Sequence, residues 1–315
     1  MKLFHLFIFL FFIFCNSCSN EKKEFEAKNP FLVVLGIAQD AGFPHAGCAK
    51  DCCKEAWKDY TQRKMVACLG LVDPITNNFW MFDATPDFKD QLHKINTKIG
   101  NQENELPEGI FLTHAHVGHY TGLMELGKEI IGTNDVNVYA MPRMENFLIN
   151  NGPWSQLVSL NNIKLNKLQN EKKIQLAENI SIQPLQVPHR DEFSETVGYI
   201  ISGLDKKALF IPDIDKWDRW DKNIIDIIEQ VDVAYLDGTF YKNGEVTGRD
   251  MSQIPHPFIE ESMKLFENLE ATEKEKVRFI HLNHTNPLHK AYSSETKKLL
   301  QNGFGIAAED EKFIL

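Results

Sequence analysis

Leu112-Thr-His-Ala-His-Val-Gly-His-Tyr-Thr-Gly-Leu123 sets three histidines, His114, His116 and His119, directly after the apolar run Ile110-Phe-Leu112. In extended chain, side chains two apart share a face, so His114 and His116 project to the same side. His119 reaches the same space once the chain turns toward a helix. Neutral imidazoles suit zinc, copper, iron or nickel, and three within six residues at a strand end make a donor set. Comparable donors follow other apolar runs. His189 comes after Ile182-Gln-Pro-Leu-Gln-Val-Pro188, Asp213 after Ala208-Leu-Phe-Ile-Pro212, and His284 closes Phe279-Ile-His-Leu-Asn-His284. Each alone reads equally as a capping or core polar residue. Together they supply the histidines and the bridging carboxylate of a two-metal hydrolytic site.

Working outward, strand and helix patterns alternate from Phe31 onward. Strand-like runs read at Phe31–Gly36, Met65–Val72, Phe79–Phe82, Ile110–Leu112, Val136–Ala140, Ile180–Val187, Val197–Ile201, Ala208–Ile211, Val233–Leu236 and Val277–Leu282. Helical patterns read after Pro86, with Phe88, Leu92 and Ile95 on one face, and at Tyr120–Ile131, Asn223–Gln230 and Phe258–Leu269. The Asn/Lys-rich stretch Ile163–Lys173 supports no assignment. There is no fixed-period repeat and no low-complexity linker, which points to one α/β-type domain over residues 31–315. The chain has 315 residues, is 43% hydrophobic and 25% charged, and carries a net charge of −10, so a collagen-like, coiled-coil or wholly disordered protein is excluded. Its acidity argues against a nucleic-acid partner, whose phosphates are met by basic surface.

The N-terminus reads as a targeting segment. The apolar run Leu3–Phe14 is too short to span a bilayer and suits a signal-peptide core. It ends at Cys15-Asn-Ser-Cys18, followed by polar residues to Lys28. This resembles a bacterial lipoprotein signal over residues 1–17, with Cys18 as the lipidated first residue and 18–30 as a polar tether. The expected location is the bacterial cell envelope, lipid-anchored and periplasm-facing; a plain secretory signal is the alternative.

The order and strand context of the donors resemble the metallo-β-lactamase superfamily, whose first motif is His-x-His-x-Asp-His. The resemblance implies a four-layer αβ/βα sandwich with the metal centre at the edge between its halves. It assigns His114, His116, His189 and Asp213 to a first metal, and His119, His284 and the shared Asp213 to a second. Zinc is the expected ion, in one or two copies, with iron or manganese as alternatives. Gly118 stands where the motif has aspartate and offers no ligand. The second position is therefore expected to bind more weakly than the first, and Gly118→Asp to tighten it. Asp40 is the candidate substitute carboxylate.

Within the superfamily the chain resembles the pyrroloquinoline quinone biosynthesis protein B (PqqB-like) group. The shared segments are Gly36-Ile-Ala-Gln-Asp-Ala-Gly-Phe-Pro44 with the cysteines after it, Phe82-Asp-Ala-Thr-Pro-Asp-Phe88, Leu236-Asp-Gly-Thr-Phe240 and His281-Leu-Asn-His-Thr-Asn-Pro287. A relative in that branch is the phosphonate-pathway phosphodiesterase. The resemblance implies a Cys₃His structural zinc at Cys48, Cys52 and Cys53, with His289 as fourth ligand and His281 or His45 in reserve. A disulfide among these cysteines, or one involving Cys68, is the competing expectation for an exported chain. Asp83 and Asp237 end apolar strands and read either as turn carboxylates or as groups that orient ligating histidines. Tyr120 and Arg190 adjoin the donors and could meet a substrate. The expected activity is metal-dependent hydrolysis of a small-molecule ester, lactone, amide or phosphodiester, with Asp213 and His284 as catalytic residues beside the metal. The alternatives are an iron-dependent oxygenase of quinone-precursor type and a non-catalytic small-molecule carrier.

Overall fold

The protein is described by a computed structural model over residues 28–101 and 105–315. The signal-like core, Cys18 and the tether up to residue 27 lie outside the described residues. The first half of the chain forms β1 (Phe31–Gly36), β2 (Cys68–Val72), β3 (Phe79–Phe82), β4 (Gly109–Phe111), β5 (Val136–Ala140) and β6 (Ile163–Lys167). The second half forms β7 (Ile174–Ala177), β8 (Ile180–Val187), β9 (Thr196–Ser202), β10 (Lys207–Ile211), β11 (Val233–Asp237), β12 (Val277–Ile280), β13 (Gly305–Ile306) and β14 (Lys312–Ile314). They build two seven-stranded sheets, ordered β14-β1-β2-β3-β4-β5-β6 and β13-β12-β11-β10-β9-β8-β7.

Side-chain alternation along the strands produces the layers. In β1, Leu32 and Val34 enter the core between the sheets, while Phe31, Val33 and Leu35 turn outward. On that side they share one core with Leu92 and Ile95 of the helix Phe88–Ile99, which packs on β1, and with Met144 and Leu148 of the helix Pro142–Asn150 farther along the sheet. In β10, Ala208 and Phe210 face the inter-sheet core, and Leu209 and Ile211 pack against Ile224, Ile259 and Leu299 of the helices on the opposite side. The result is helix, sheet, sheet, helix: the expected four-layer αβ/βα sandwich.

Strand direction then gathers the donors. β3, β4, β5 and β6 run parallel, and β1, two antiparallel steps from β3 through β2, shares their direction. In the other sheet β10, β11 and β12 run parallel, and β8 shares their direction through the antiparallel β9. Asp40, Asp83, His114, His189, Asp213 and His281 therefore all follow the carboxyl ends of parallel-running strands. Open α/β sheets bind their ligands outside such ends.

Three local readings differ. The stretch Tyr120–Ile131 is not one helix: a short turn of helix at Val117–Tyr120 continues as a 3₁₀ segment, Thr121–Leu126. Gly127 ends it in extended conformation, and Gly132 adopts φ +65°. The unassigned Asn/Lys-rich stretch holds β6, an edge strand whose exposed positions hide its pattern. The run Val277–Leu282 leaves the sheet after Ile280, because His281 takes φ +63°.

Candidate metal centre

The histidine loop is fixed from both sheets. Leu112 N–H donates to Tyr139 O at 3.0 Å, Val197 N–H donates to Thr113 O at 3.0 Å, and Ala115 N–H donates to Ser194 Oγ at 2.8 Å. Tyr199, buried between the sheets, donates its hydroxyl to the Leu112 carbonyl. His116 then sits in extended conformation, φ −99° and ψ 149°, and the turn that follows brings His119 back toward His114. Their ring centroids are 4.1 Å apart.

Asp213, buried at the end of β10, lies between two groups of ligands. On one side its Oδ2 is 3.3 Å from His114 Nε2 and 3.9 Å from His116 Nδ1, and its Oδ1 is 3.3 Å from His189 Nε2. These four residues offer ligand atoms all within 4.8 Å of one another. On the other side the same Oδ2 is 3.9 Å from His119 Nε2 and 4.0 Å from His281 Nε2. Asp40 completes this second group, with Oδ1 at 3.3 Å from His119 Nε2 and 3.9 Å from His281 Nε2. Five buried atoms here have no hydrogen-bond partner: Asp40 Oδ1, His119 Nε2, His189 Nε2, Asp213 Oδ1 and His281 Nε2. A folded chain rarely leaves buried polar atoms unmade. Their convergence, with neutral nitrogen and anionic oxygen donors together, fits divalent cations.

Three of the rings, His119, His189 and His281, are held from behind. Asp83 Oδ2 accepts from His119 Nδ1 at 2.7 Å, and its Oδ1 accepts from the Thr113 N–H at 2.7 Å. Asp215 Oδ1 pairs with His189 Nδ1 at 3.1 Å, and Arg219 donates to its Oδ2 at 2.9 Å. Across the seam, Asp237 Oδ1 accepts from the Thr239 N–H and hydroxyl at 2.8 and 2.7 Å. Thr239 Oγ1 in turn meets His281 Nδ1 at 3.0 Å. Such contacts fix imidazole tautomer and orientation, so the two halves use one device, a strand-end aspartate with a threonine, on opposite sides.

Electrostatics follow from this burial. Burial disfavours the His119 cation, but Asp83 and Asp40 outweigh it and push the ring up to about 10. Burial likewise opposes the His189 cation, and Asp213 and Asp215 raise it to about 9. His114 goes the other way, held well below its usual range by burial and the charge of His119. Asp213 stays ionised, since its histidine neighbours overcome the burial that would raise it.

Two residues of this centre were missed from sequence. Asp215 is legible only as the second acid of Asp213-Ile-Asp215. His256, in Ile254-Pro-His-Pro-Phe258, follows no strand and matches no spacing. Its Nδ1 lies 2.9 Å from Asp237 Oδ2 and 3.0 Å from Asp213 Oδ1. Against the opposition of burial, these two carboxylates raise its pKa well above the ordinary value, so His256 reads as their counter-charge and as a clamp on Asp213.

The final histidines exchange roles relative to expectation. His284, expected at the second metal, lies instead with Cys48, Cys52 and Cys53, their ligand atoms all within 4.8 Å of one another. The left-handed turn at His281 sends that ring to the metal centre and carries His284, three residues on, to the cysteines. His289, expected as the fourth zinc ligand, stacks on Phe43 at 4.2 Å and approaches the Leu282 carbonyl at 3.4 Å. His45 lies tilted against His284, with ring centroids 4.2 Å apart. The four described cysteines are free: Cys48 and Cys52 sulfurs are 3.6 Å apart, and Cys68 is buried in β2. That spacing suits the edge of a tetrahedron with Zn–S bonds of ~2.3 Å. Burial holds His284 down at about 4, so it is neutral and able to ligate. Tyr120, a candidate substrate contact, is buried beside Phe147 and Trp154. Arg190 Nη2 does approach the centre, at 3.3 Å from His116 Nε2.

Known proteins agree with this architecture. A profile of the β-lactamase superfamily domain matches residues 79–282. Coenzyme PQQ synthesis protein B of Pseudomonas protegens is 24% identical over 307 residues, covering 88% of this chain and 97% of that protein. The Methylobacillus flagellatus protein of the same name is 24% identical over 311 residues, covering 90% and 99%. Among solved structures, zinc-bound PqqB from Methylobacterium extorquens superposes with a TM-score of 0.74 at 20% identity, over 90% of this chain and 100% of that one. A diphosphatase of the PhnP family gives 0.62 at 21% identity, over 91% and 97%. With a family profile spanning the donor-bearing strands and a matching fold, this chain belongs to the metallo-β-lactamase superfamily and resembles its PqqB group.

Proposed function

We propose that the chain is a metal-dependent hydrolase of a small-molecule ester, lactone, amide or phosphodiester, with zinc as its ion. The observation that carries this reading is the set of five buried donor atoms without a hydrogen-bond partner converging around Asp213. His114, His116, His189 and Asp213 would hold one ion, and His119 and His281 a second, with Asp213 shared. Bound there, zinc supplies a water of lowered pKa and polarises the scissile group. The protein's part is to aim the rings. Asp83 and Asp215 accept the Nδ1 protons of His119 and His189, which leaves each Nε2 lone pair for an ion. Asp213, fixed by His256, holds its carboxylate where both groups reach it. Arg190 at the rim is placed to meet an anionic or carbonyl oxygen of the substrate.

A separate structural zinc at Cys48, Cys52, Cys53 and His284 would tie the loop after β1 to the loop after β12. We also propose export, with Cys18 as the lipidated first residue of the mature chain; mass spectrometry of the native N-terminus tests it. No helix among the described residues is long and apolar enough to cross a membrane. For the activity, purified protein is assayed for metal and against chromogenic esters, lactones, amides and phosphodiesters. Turnover abolished by chelator and restored by zinc supports hydrolysis. Oxygen consumption with iron, or tight ligand retention without turnover, would overturn it.

A further inference from the structure

The position of Gly118 points to a relocated ligand. The motif slot between His116 and His119 lacks a carboxylate, and the backbone there does not require glycine through a left-handed conformation. Space requires it. A Cβ built on Gly118 would lie 2.2 Å from Asp40 Oδ1, 2.6 Å from Asp40 Cα and 2.9 Å from Asp40 Cγ. The carboxyl group of Asp40 thus fills the volume in which a side chain from position 118 would begin.

Asp40 is firmly seated in that volume. Gln39 N–H donates to Leu282 O at 2.9 Å, Gly42 N–H donates to Gln39 O at 2.8 Å, and Ala38 bridges both Val66 and Leu282. Gln39 Nε2 donates to Asp40 Oδ2 at 3.2 Å, which leaves Oδ1 turned toward His119 and His281 without a hydrogen-bond partner. A buried carboxylate oxygen kept free beside two imidazole nitrogens is a ligand rather than a capping group.

We infer that Asp40 supplies the second metal's carboxylate from the loop after β1, and that Gly118 is glycine because Asp40 occupies its place. The inference rests on the two-metal reading above. It reverses two expectations from sequence. The second position has a full complement of His119, His281, Asp40 and Asp213, and Gly118→Asp weakens it, because the added side chain collides with the Asp40 backbone as well as its carboxylate.

The test is zinc titration of the metal-stripped full chain, with bound ions counted by mass spectrometry under native conditions. Asp40→Ala and the near-isosteric Asp40→Asn are expected to weaken the second His/Asp ion by more than the ~10–100-fold loss typical of a group that only orients a ligand, while the first ion stays bound and reports that the centre is folded. Gly118→Ala is expected to weaken the second ion in the same direction. Asp40→Ala combined with Gly118→Ala should be no weaker than Asp40→Ala alone, since no ligand is left to displace. Second-ion affinity unchanged in both Asp40 variants, or unchanged in Gly118→Ala, overturns the inference alone. A wild-type chain that takes up zinc at neither His/Asp group overturns the hydrolase reading, and this inference with it.

Discussion

Replacing Asp83 separates what holds the fold from what tunes the metal. Asp83 is fully buried at the end of β3 with φ 71°, and its oxygens accept from the Thr113 backbone N–H, the Thr113 hydroxyl and His119 Nδ1. Asp83→Ala strands the Thr113 N–H and leaves the ring N–H with only Thr113 Oγ1, at 3.3 Å. At about 1–3 kcal/mol for a stranded buried donor and about 1 kcal/mol for the weakened ring contact, the loss is about 2–4 kcal/mol. Asp83→Asn behaves differently. Asparagine tolerates the left-handed backbone, and its carbonyl can sit at Oδ1 and keep the Thr113 N–H bond. Its amide then points N–H groups at His119 Nδ1, which must become an acceptor. With Asp83 in place an ion displaces the Nε2 proton of the cation and leaves a neutral ring whose Nδ1 proton the carboxylate holds. With asparagine the neutral ring carries its one proton on Nε2 instead, the atom 3.3 Å from Asp40 and 3.9 Å from Asp213. The expected outcome for Asp83→Asn is ~10–100-fold weaker binding of the second ion with a stability loss of no more than about 1.5 kcal/mol. Urea unfolding of the metal-free protein and zinc titration of the same preparation read the two quantities independently. Wild-type zinc affinity in Asp83→Asn would refute the tautomer argument.

His281→Ala and His284→Ala, three residues apart, should remove different ions: the first an ion of the His/Asp centre, the second the one at the cysteines. Parallel losses in metal counting would show that one site, not two, spans this turn. Cys53→Ser should loosen the loop that carries Asp40 and so weaken the second His/Asp ion as well; retention of that ion at wild-type affinity would sever the link. In the metal-free protein, the His119 and His189 cations are stabilised by folding, with folded values of about 10 and about 9 against an unfolded reference of about 6.5. Their contribution is complete below pH about 6.5 and is lost as pH rises through about 9 to 10. Chelated protein should therefore melt at a lower temperature at pH 10 than at pH 6.5, and zinc should flatten that difference; a chelated curve with no such fall would refute the assignment.

Much of this was legible because it repeats a local rule. The inner strands announce themselves as apolar runs, and donors at their carboxyl ends collect on one edge once the strands run parallel. His114, His116, His119, His189 and Asp213 need nothing more. The other ligands depend on facts no run of letters carries. Whether His281 or His284 faces the centre is decided by one left-handed residue in a four-residue segment, His281-Leu-Asn-His284. Asp40 comes from a loop some eighty residues before the motif it completes, and only the missing space at Gly118 couples the two. His256 follows no strand and owes its place to the packing of Phe240, Met251, Ile254 and Phe258 around its loop. The edge strand β6 escaped because its exposed side chains are polar.

The strand β14 closes the first sheet from the far end of the chain. It pairs antiparallel with β1, matching Phe31 with Ile314 and Val33 with Lys312, and Leu315 is fully buried against Gly203. During synthesis, β1 emerges well before its partner on that side. Until then β1, an apolar strand, presents an open row of N–H and C=O groups to any chain nearby. The first half of the molecule therefore cannot reach its final form by itself, however complete its own strands and helices. Vectorial folding must wait, and a chaperone that shields this edge would protect the chain at the stage when it is most prone to aggregate.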